Sequence, residues 1–201
     1  MSSEYTIRWP EFIKAYVPTI ITWVFLGALL GLPNYSYGNA LMQSICLLFW
    51  SYAGHVLAHK VSTHWPFNIL NPHVYIHHNK LITLNRTLEL IIEAMVNFFG
   101  FFVIIILQWL TSIHIFSTTI VLGSAFLYIA IHILDYSLFP NEYHKLHHEK
   151  HLCNYDPTFM DTLFNTQCDK EKPYRNMVAE IPHAIIAFGL AYLFKLYFQL
   201  D

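Results

Sequence analysis

Charge is scarce in this chain. Only 12% of its 201 residues are Asp, Glu, Lys or Arg, against roughly 25% in an ordinary soluble domain, while 55% are hydrophobic and 17% aromatic. The formal charge of -2 supplies no basic field, and Lys and Arg fall in short segments between apolar runs, which argues against nucleic acid as a partner. Cysteine is sparse too. Cys46, Cys153 and Cys168 are widely spaced without a C-x-x-C pair, so reduced thiols facing membrane and cytosol are expected. No G-x-G-x-x-G turn follows a strand pattern, and no haem-binding domain is visible. The opening "MSSEYTIRWPEFIKAY" lacks a signal-peptide n-region and cleavage site, and the first apolar run is expected to stay attached.

What is present instead is long apolar helix pattern. A bilayer core needs about 20 mostly apolar residues per helix, and four stretches meet this: about 12 to 32, 39 to 60, 88 to 110 and 114 to 135. A fifth, 181 to 200, could span or lie on the surface, Lys195 leaving both open. The chain therefore reads as one all-α domain, 1 to 201, an integral membrane bundle of about four transmembrane helices. The connectors "PNYSYGN" (33 to 39) and "TSIHIF" (111 to 116) carry no charge. Arg8, Lys14, Lys60, Lys80, Arg86, Lys145, Lys150, Lys170, Lys172 and Arg175 all fall on the other side, which the positive-inside tendency makes cytosolic.

That topology gathers histidines on one face. His55, His59 and His64 lie at or just past the end of the second span, His73, His77 and His78 in the next connector, His132 at the end of the fourth span, and His144, His147, His148 and His151 just after it. Residues three and four apart share a helix face, so His144, His147 and His148 converge, as do His55 with His59 and His73 with His77. Imidazole pairs at i, i+4 grip divalent metals, and so many convergent rings exceed the four ligands that saturate one zinc. Two metals are the economical reading. Carboxylates are few, unlike ferritin-like di-metal bundles, and imidazole suits Zn, Cu, Fe or Ni alike.

The spacing His55-x3-His59 (or His59-x4-His64), His73-x3-His77-His78, an isolated His132 and His144-x2-His147-His148 resembles the membrane histidine-box oxygenases. The tail "NYDPTFMDTLFNT" is similar to the "NYG...WDRLFGT" ending of the fatty acid hydroxylase/sterol desaturase superfamily. The likeness covers about residues 45 to 166, its last box and tail being most specific. It implies a non-haem di-iron centre, with Zn as a possible substitute, that uses O2 to hydroxylate or desaturate a lipid. It assigns metal ligation to His55, His59, His73, His77, His78, His132, His144, His147 and His148. Electrons would come from a separate donor such as cytochrome b5, or ferredoxin with its reductase. The endoplasmic reticulum is the expected membrane in a eukaryotic host.

Several positions depart from the pattern. Tyr136 stands where many relatives carry a second histidine, with His151 or His64 as stand-ins. Asp156 and Asn165 replace glycines, and the second box has three intervening residues rather than two, turning His73 by about 100° on an ideal helix. Residues 61 to 72 contain two prolines and cannot form one clean helix. Metal-bound imidazoles need acceptors for their other N–H, and Asp135, Glu142, Asp156 and Asp161 are candidates. Asp161, matching the acidic tail residue, is the preferred one and is taken as the catalytic carboxylate.

Other features have plainer readings. His114 and His183 lie outside the cluster as core or interface residues. Glu89 and Glu93 sit at i, i+4 opening the third span, where a helix N-terminus favours them. Cys153 is incidental to the last box. Two other functions compete with the oxygenase: an inert membrane protein with a structural di-zinc site, and a metal transporter. The transporter ranks last, because the first and third spans are apolar through their centres.

Overall fold

The computed structural model describes residues 5–32, 34–62, 64, 66–67, 71–78, 84–139 and 141–200, the side chain of Tyr136 excepted. Lys80, Pro33 and much of the 61 to 72 connector lie outside these. Among the described residues all regular structure is helical: α1 (Trp9–Gly31), α2 (Tyr37–Ala58), α3 (Arg86–Thr111), α4 (Thr118–Ile131), α5 (Glu142–Lys150), α6 (Thr158–Leu163) and α7 (Ile181–Phe198). Two π-helical segments, His73–His78 and His132–Leu138, and a 3-10 turn, Met177–Glu180, complete it.

Local chemistry sets the helix starts. Pro10 stands in the first turn of α1, where its missing N–H costs nothing. Ser36, Asn85 and Ser117 cap α2, α3 and α4, each side-chain oxygen accepting a backbone N–H three residues on. α4 is the centre of the bundle, packed against α1, α2, α3 and α7. Close approach there depends on Gly123, where a Cβ would lie 2.6 Å from Phe188 and 2.7 Å from Leu30.

Five helical segments, not about four, are long and apolar enough to cross a bilayer: Trp9–Gly31, Tyr37–Ala58, Arg86–Thr111, Thr118–Asp135 and Met177–Phe198. Their outer faces carry apolar side chains such as Ile21, Phe99, Leu107 and Leu193, which suggests a membrane protein. α7 joins the bundle because Lys195 has a destination. Its Nζ donates to the carbonyls of Leu30 and Leu32, 2.6 and 2.8 Å away, at the end of α1. The charge thus meets carbonyls that a helix C-terminus leaves open.

At that same end, Gln43 and Gln108 tie the 112–117 loop to α2 and α3. Gln43 accepts the N–H of Ser117, and Gln108 accepts those of Ile115 and Phe116. The opposite end holds the histidines. There α6 is fixed to the N-terminal region by Tyr5, whose hydroxyl donates to the Thr162 carbonyl, and by the Tyr16–Thr162 hydroxyl pair.

Candidate metal centre

Four segments deliver the imidazoles. α2 ends at Ala58, so His55 lies in its last turn and His59 is its C-cap residue. His73, His77 and His78 share the first π-helical segment. The wider i→i+5 turn of a π-helix brings positions i, i+4 and i+5 to one side, which absorbs the extra residue in this box. His132 opens the second π-helical segment as a continuation of α4. α5 starts at the cap Asn141, whose side chain accepts the His144 N–H at 2.9 Å, and it presents His144, His147 and His148 before ending at His151 in left-handed backbone.

The rings converge into overlapping groups. His55, His59, His73, His78 and His147 bring one nitrogen each within 4.8 Å of one another; so do His77, His132 and His144, and His77, His78 and His148. Nine imidazoles thus form a continuous cluster. His55 and His73 Nε2 are 3.1 Å apart, His73 and His78 Nε2 3.1 Å, and His144 and His148 Nε2 2.8 Å. Two nitrogens bound at about 2.1 Å to one ion sit about 3.0–3.4 Å apart, close to these spacings.

Buried nitrogens without hydrogen-bond partners point the same way: Nε2 of His59, His77 and His147, and Nδ1 of His78. Such atoms cost free energy unless something binds them, and a metal ion is the ligand that neutral imidazoles fit. Burial, with neighbouring imidazoles adding to it, pulls His73, His77, His78 and His144 well below the ordinary histidine range. It takes His59 down to about 4. Burial likewise lowers His147, to about 3, against the opposing pull of its backbone hydrogen bond. The unprotonated form is the one that ligates metal.

The outer contacts correct the expected carboxylate. Asp161 has its oxygens taken up by the tail: it accepts the N–H of Tyr155 at 2.9 Å, that of Asp156 at 2.7 Å and the Thr166 hydroxyl at 2.5 Å. It folds the tail. Burial, with Asp156 beside it, raises its carboxyl to about 7, while the Thr166 and backbone donors pull the other way. Of the other candidates, Asp135 pairs with Arg175 and His183, Glu142 with Lys145 on the surface, and Asp156 accepts from Thr158.

Glu93 is the carboxylate beside the boxes. Its oxygens lie 3.4 Å from His77 Nδ1 and 3.4 Å from His132 Nε2, and the Ser137 hydroxyl donates to it at 2.6 Å. The helix-terminus reading of Glu93 is therefore corrected. Because α3 begins at Arg86, Glu89 takes the first-turn role with an Arg86 pair at 3.0 Å, and Glu93 is buried one turn deeper. Two further contacts orient rings: His147 Nδ1 donates to the Cys153 carbonyl at 2.7 Å, leaving Nε2 for a metal, and the Tyr128 hydroxyl meets His55 Nδ1 at 3.4 Å.

Two suggested stand-ins fall outside the ligand groups. His64 is exposed, because the chain leaves α2 at His59 and carries it away. His151 sits at the rim, its ring 5.2 Å from that of His78. His114 is exposed on the far loop. Asp156 and Asn165, standing where the resemblance has glycine, both have left-handed backbone with φ of 57°, a conformation Asp and Asn tolerate better than other side chains. The cysteine expectation is also corrected. Cys153 and Cys168 form a disulfide with Cα atoms 5.0 Å apart, and Cys46 alone is a free thiol. The tail doubles back through Asn154, whose N–H donates to the Thr166 carbonyl and whose side chain accepts the Cys168 N–H, which sets the two sulfurs together.

Fold and site together define a helical bundle with candidate membrane-spanning helices and a buried polyhistidine centre able to hold metal. The chain matches no family model, no curated protein and no solved structure.

Proposed function

We propose that this chain is a membrane-bound, O2-dependent lipid hydroxylase or desaturase built on a histidine-held di-iron centre. The observation that carries the reading is the convergence of nine imidazoles from four segments into overlapping buried groups. One metal would use His55, His59, His73, His78 and His147; the other would use His77, His132 and His144 with His148. Imidazole by itself does not select iron. That choice rests on the box spacing and the "NYDPTFMDTLFNT" tail. Bound iron would supply the activation of O2 needed to attack an unactivated C–H bond.

The chain's own residues do the rest. The Cys153 carbonyl fixes the His147 ring, Glu93 stands 3.4 Å from His77 and His132 where it can take their far N–H, and the apolar helix walls exclude water and admit hydrocarbon from the bilayer. Hydroxylation turns C–H, O2, an electron pair and a proton pair into alcohol and one water; desaturation takes two hydrogens from the chain and, with the same O2, electrons and protons, yields an alkene and two waters. The electrons come from a separate donor, cytochrome b5 or ferredoxin with its reductase. The histidine face would meet the cytosol, at the endoplasmic reticulum in a eukaryote.

An all-imidazole ligand set also suits zinc, so an inert protein with a structural di-zinc site is the competing reading. Anaerobic Fe(II) loading of the detergent-purified chain decides between them. About two irons per chain, lost in His147→Ala, with a lipid product that needs O2 and reductant, support the oxygenase. Zinc held in preference to iron, with no O2-dependent product, would establish the inert protein.

A further inference from the structure

We propose that the groove between α2 and α3 binds a single hydrocarbon chain of a lipid and that Asn97 anchors an oxygen of that lipid beside the histidines. What happens to the chain there rests on the oxygenase reading; the binding itself does not. The groove is walled by Trp50, Gly54 and Ala58 of α2 and by Asn97, Gly100 and Phe101 of α3. His55 and His73 also line it, so the groove opens onto the metal-ligating face. Trp50 bounds the other end, its indole N–H donating across to the Gly100 carbonyl at 2.8 Å. Beyond Trp50 a second apolar space continues along the same two helices to Phe116.

The glycines separate this groove from ordinary helix packing. Glycine between membrane helices usually lets the helices touch, and Gly27, Gly31 and Gly123 do this: a Cβ at any of them would meet another side chain at 2.8 Å or less. Gly54 and Gly100 are exposed, and a Cβ at either meets nothing within 4 Å, as at Gly38 and Gly189; what sets the first two apart is that both line this groove. Both leave open space along the groove, on an exposed side of the two helices.

Asn97 points to what fills that room. It is 6% exposed, and its Nδ2 is buried without a hydrogen-bond partner. An amide donor held in an apolar wall costs free energy unless it is met by an acceptor. A carbonyl, carboxyl or hydroxyl oxygen at the polar end of a lipid meets it, and the lipid's chain then runs along the apolar groove toward Trp50. A bare alkane would leave the donor unmet, and a water-soluble substrate would leave the glycine-lined space unfilled.

The test uses the full chain in lipid nanodiscs, photolabelled with a palmitic acid analogue that carries a mid-chain diazirine. Labelled peptides are mapped by mass spectrometry, and metal content is measured on every sample. Labelling should concentrate on residues 50–58 and 96–107. Gly54→Phe and Gly100→Phe should each cut it about tenfold by filling the space, with metal content unchanged. Asn97→Leu should weaken labelling by the acid while leaving labelling by a diazirine alkane as it was. Labels spread evenly over the outer faces of α1 and α7, or labelling indifferent to both Phe variants, overturn the proposal even if the chain makes an O2-dependent product. Groove labelling with no such product leaves the groove standing and removes the oxygenase.

Discussion

Replacing Glu93 by Gln keeps the shape of the side chain and removes its charge, at a residue that touches two imidazoles at once. His77 Nδ1 and His132 Nε2 each lie 3.4 Å from its oxygens, and Ser137 donates to it at 2.6 Å. A carboxylate that takes the far N–H of a ligand ring fixes the tautomer and makes the ring a stronger donor. Losing such a partner costs about 10–100-fold in metal affinity, or about 1.4–2.7 kcal/mol. Both rings belong to the group of His77, His132 and His144, whereas the group of His55, His59, His73, His78 and His147 does not include them. Titration of Glu93→Gln with Fe(II) or Zn(II) against a chelator of graded strength should therefore show one equivalent weakened and the other unmoved. Equal binding of both equivalents, in a variant whose helix content and melting match the parent, would refute the assignment. Glu93 would then be a packing residue.

Acidification should destabilise the metal-free chain. An unfolded histidine takes its proton near 6.5, but burial holds His59 down to about 4 and His147 to about 3. Below about 6.5 these histidines make the unfolded chain bind more protons, so their contribution is complete above that pH and is lost as pH falls toward 4 and then 3; Asp161, raised to about 7, opposes this between about 7 and 4, and the many lowered histidines outweigh it. Melting in detergent at pH 7.5 and pH 5 checks the sign, and equal melting temperatures would contradict it. Asp161→Asn should lower stability by about 1.5–3 kcal/mol, since an amide cannot accept all three donors of the tail, while saturating metal still binds. An unchanged melt would show the tail folds without that charge. Gly123→Leu should cost about 1–3 kcal/mol through its clash with Phe188 and Leu30, read in the same assay. Maleimide labelling under denaturing, non-reducing conditions should modify Cys46 alone; three labelled cysteines would mean that hydrogen bonds close the tail without the sulfur bridge.

What could be read from the letters was whatever depends on local period and composition. Spans one to four are apolar for the length a bilayer needs, and His55 with His59, and His144 with His147 and His148, share helix faces because i, i+3 and i+4 positions do. Four features were not legible in period and composition, three of them because they need contacts between segments apart in sequence. Lys195 could be placed only once α7 lay against the end of α1, where Leu30 and Leu32 offer carbonyls. Glu93 looked like a helix-start carboxylate because its neighbours in sequence are those of a first turn; its partners are 16 residues before it and 39 and 44 after it. The π-helical turn at His73–His78 changes which residues share a face, and no residue type announces it. The disulfide joins residues 15 apart with no motif between them. It also bears on orientation, since disulfides persist in oxidising compartments while the Lys and Arg placement favours a cytosolic histidine face.

Charge bears on what a metal would do at this centre. Glu93, Asp156, Asp161 and Glu180 are all buried, at 4%, 3%, 0% and 1% exposure. Arg175 pairs with Glu180 at 2.7 Å, and Arg86 acts on Glu93. Buried carboxylates in a bundle of apolar helices are costly unless positive charge lies near. The histidines do not supply it themselves, because burial keeps the rings outside the spans neutral at ordinary pH. Divalent ions held by neutral imidazoles would. Their own ligands cancel none of the charge, so it acts on the carboxylates nearby, Glu93 first. The same reasoning explains why the cluster can be almost all imidazole. With metal bound, the negative charge that ferritin-like sites place on the metal as Glu ligands would here stand one layer further out, beside the rings and in the tail, without occupying a coordination position.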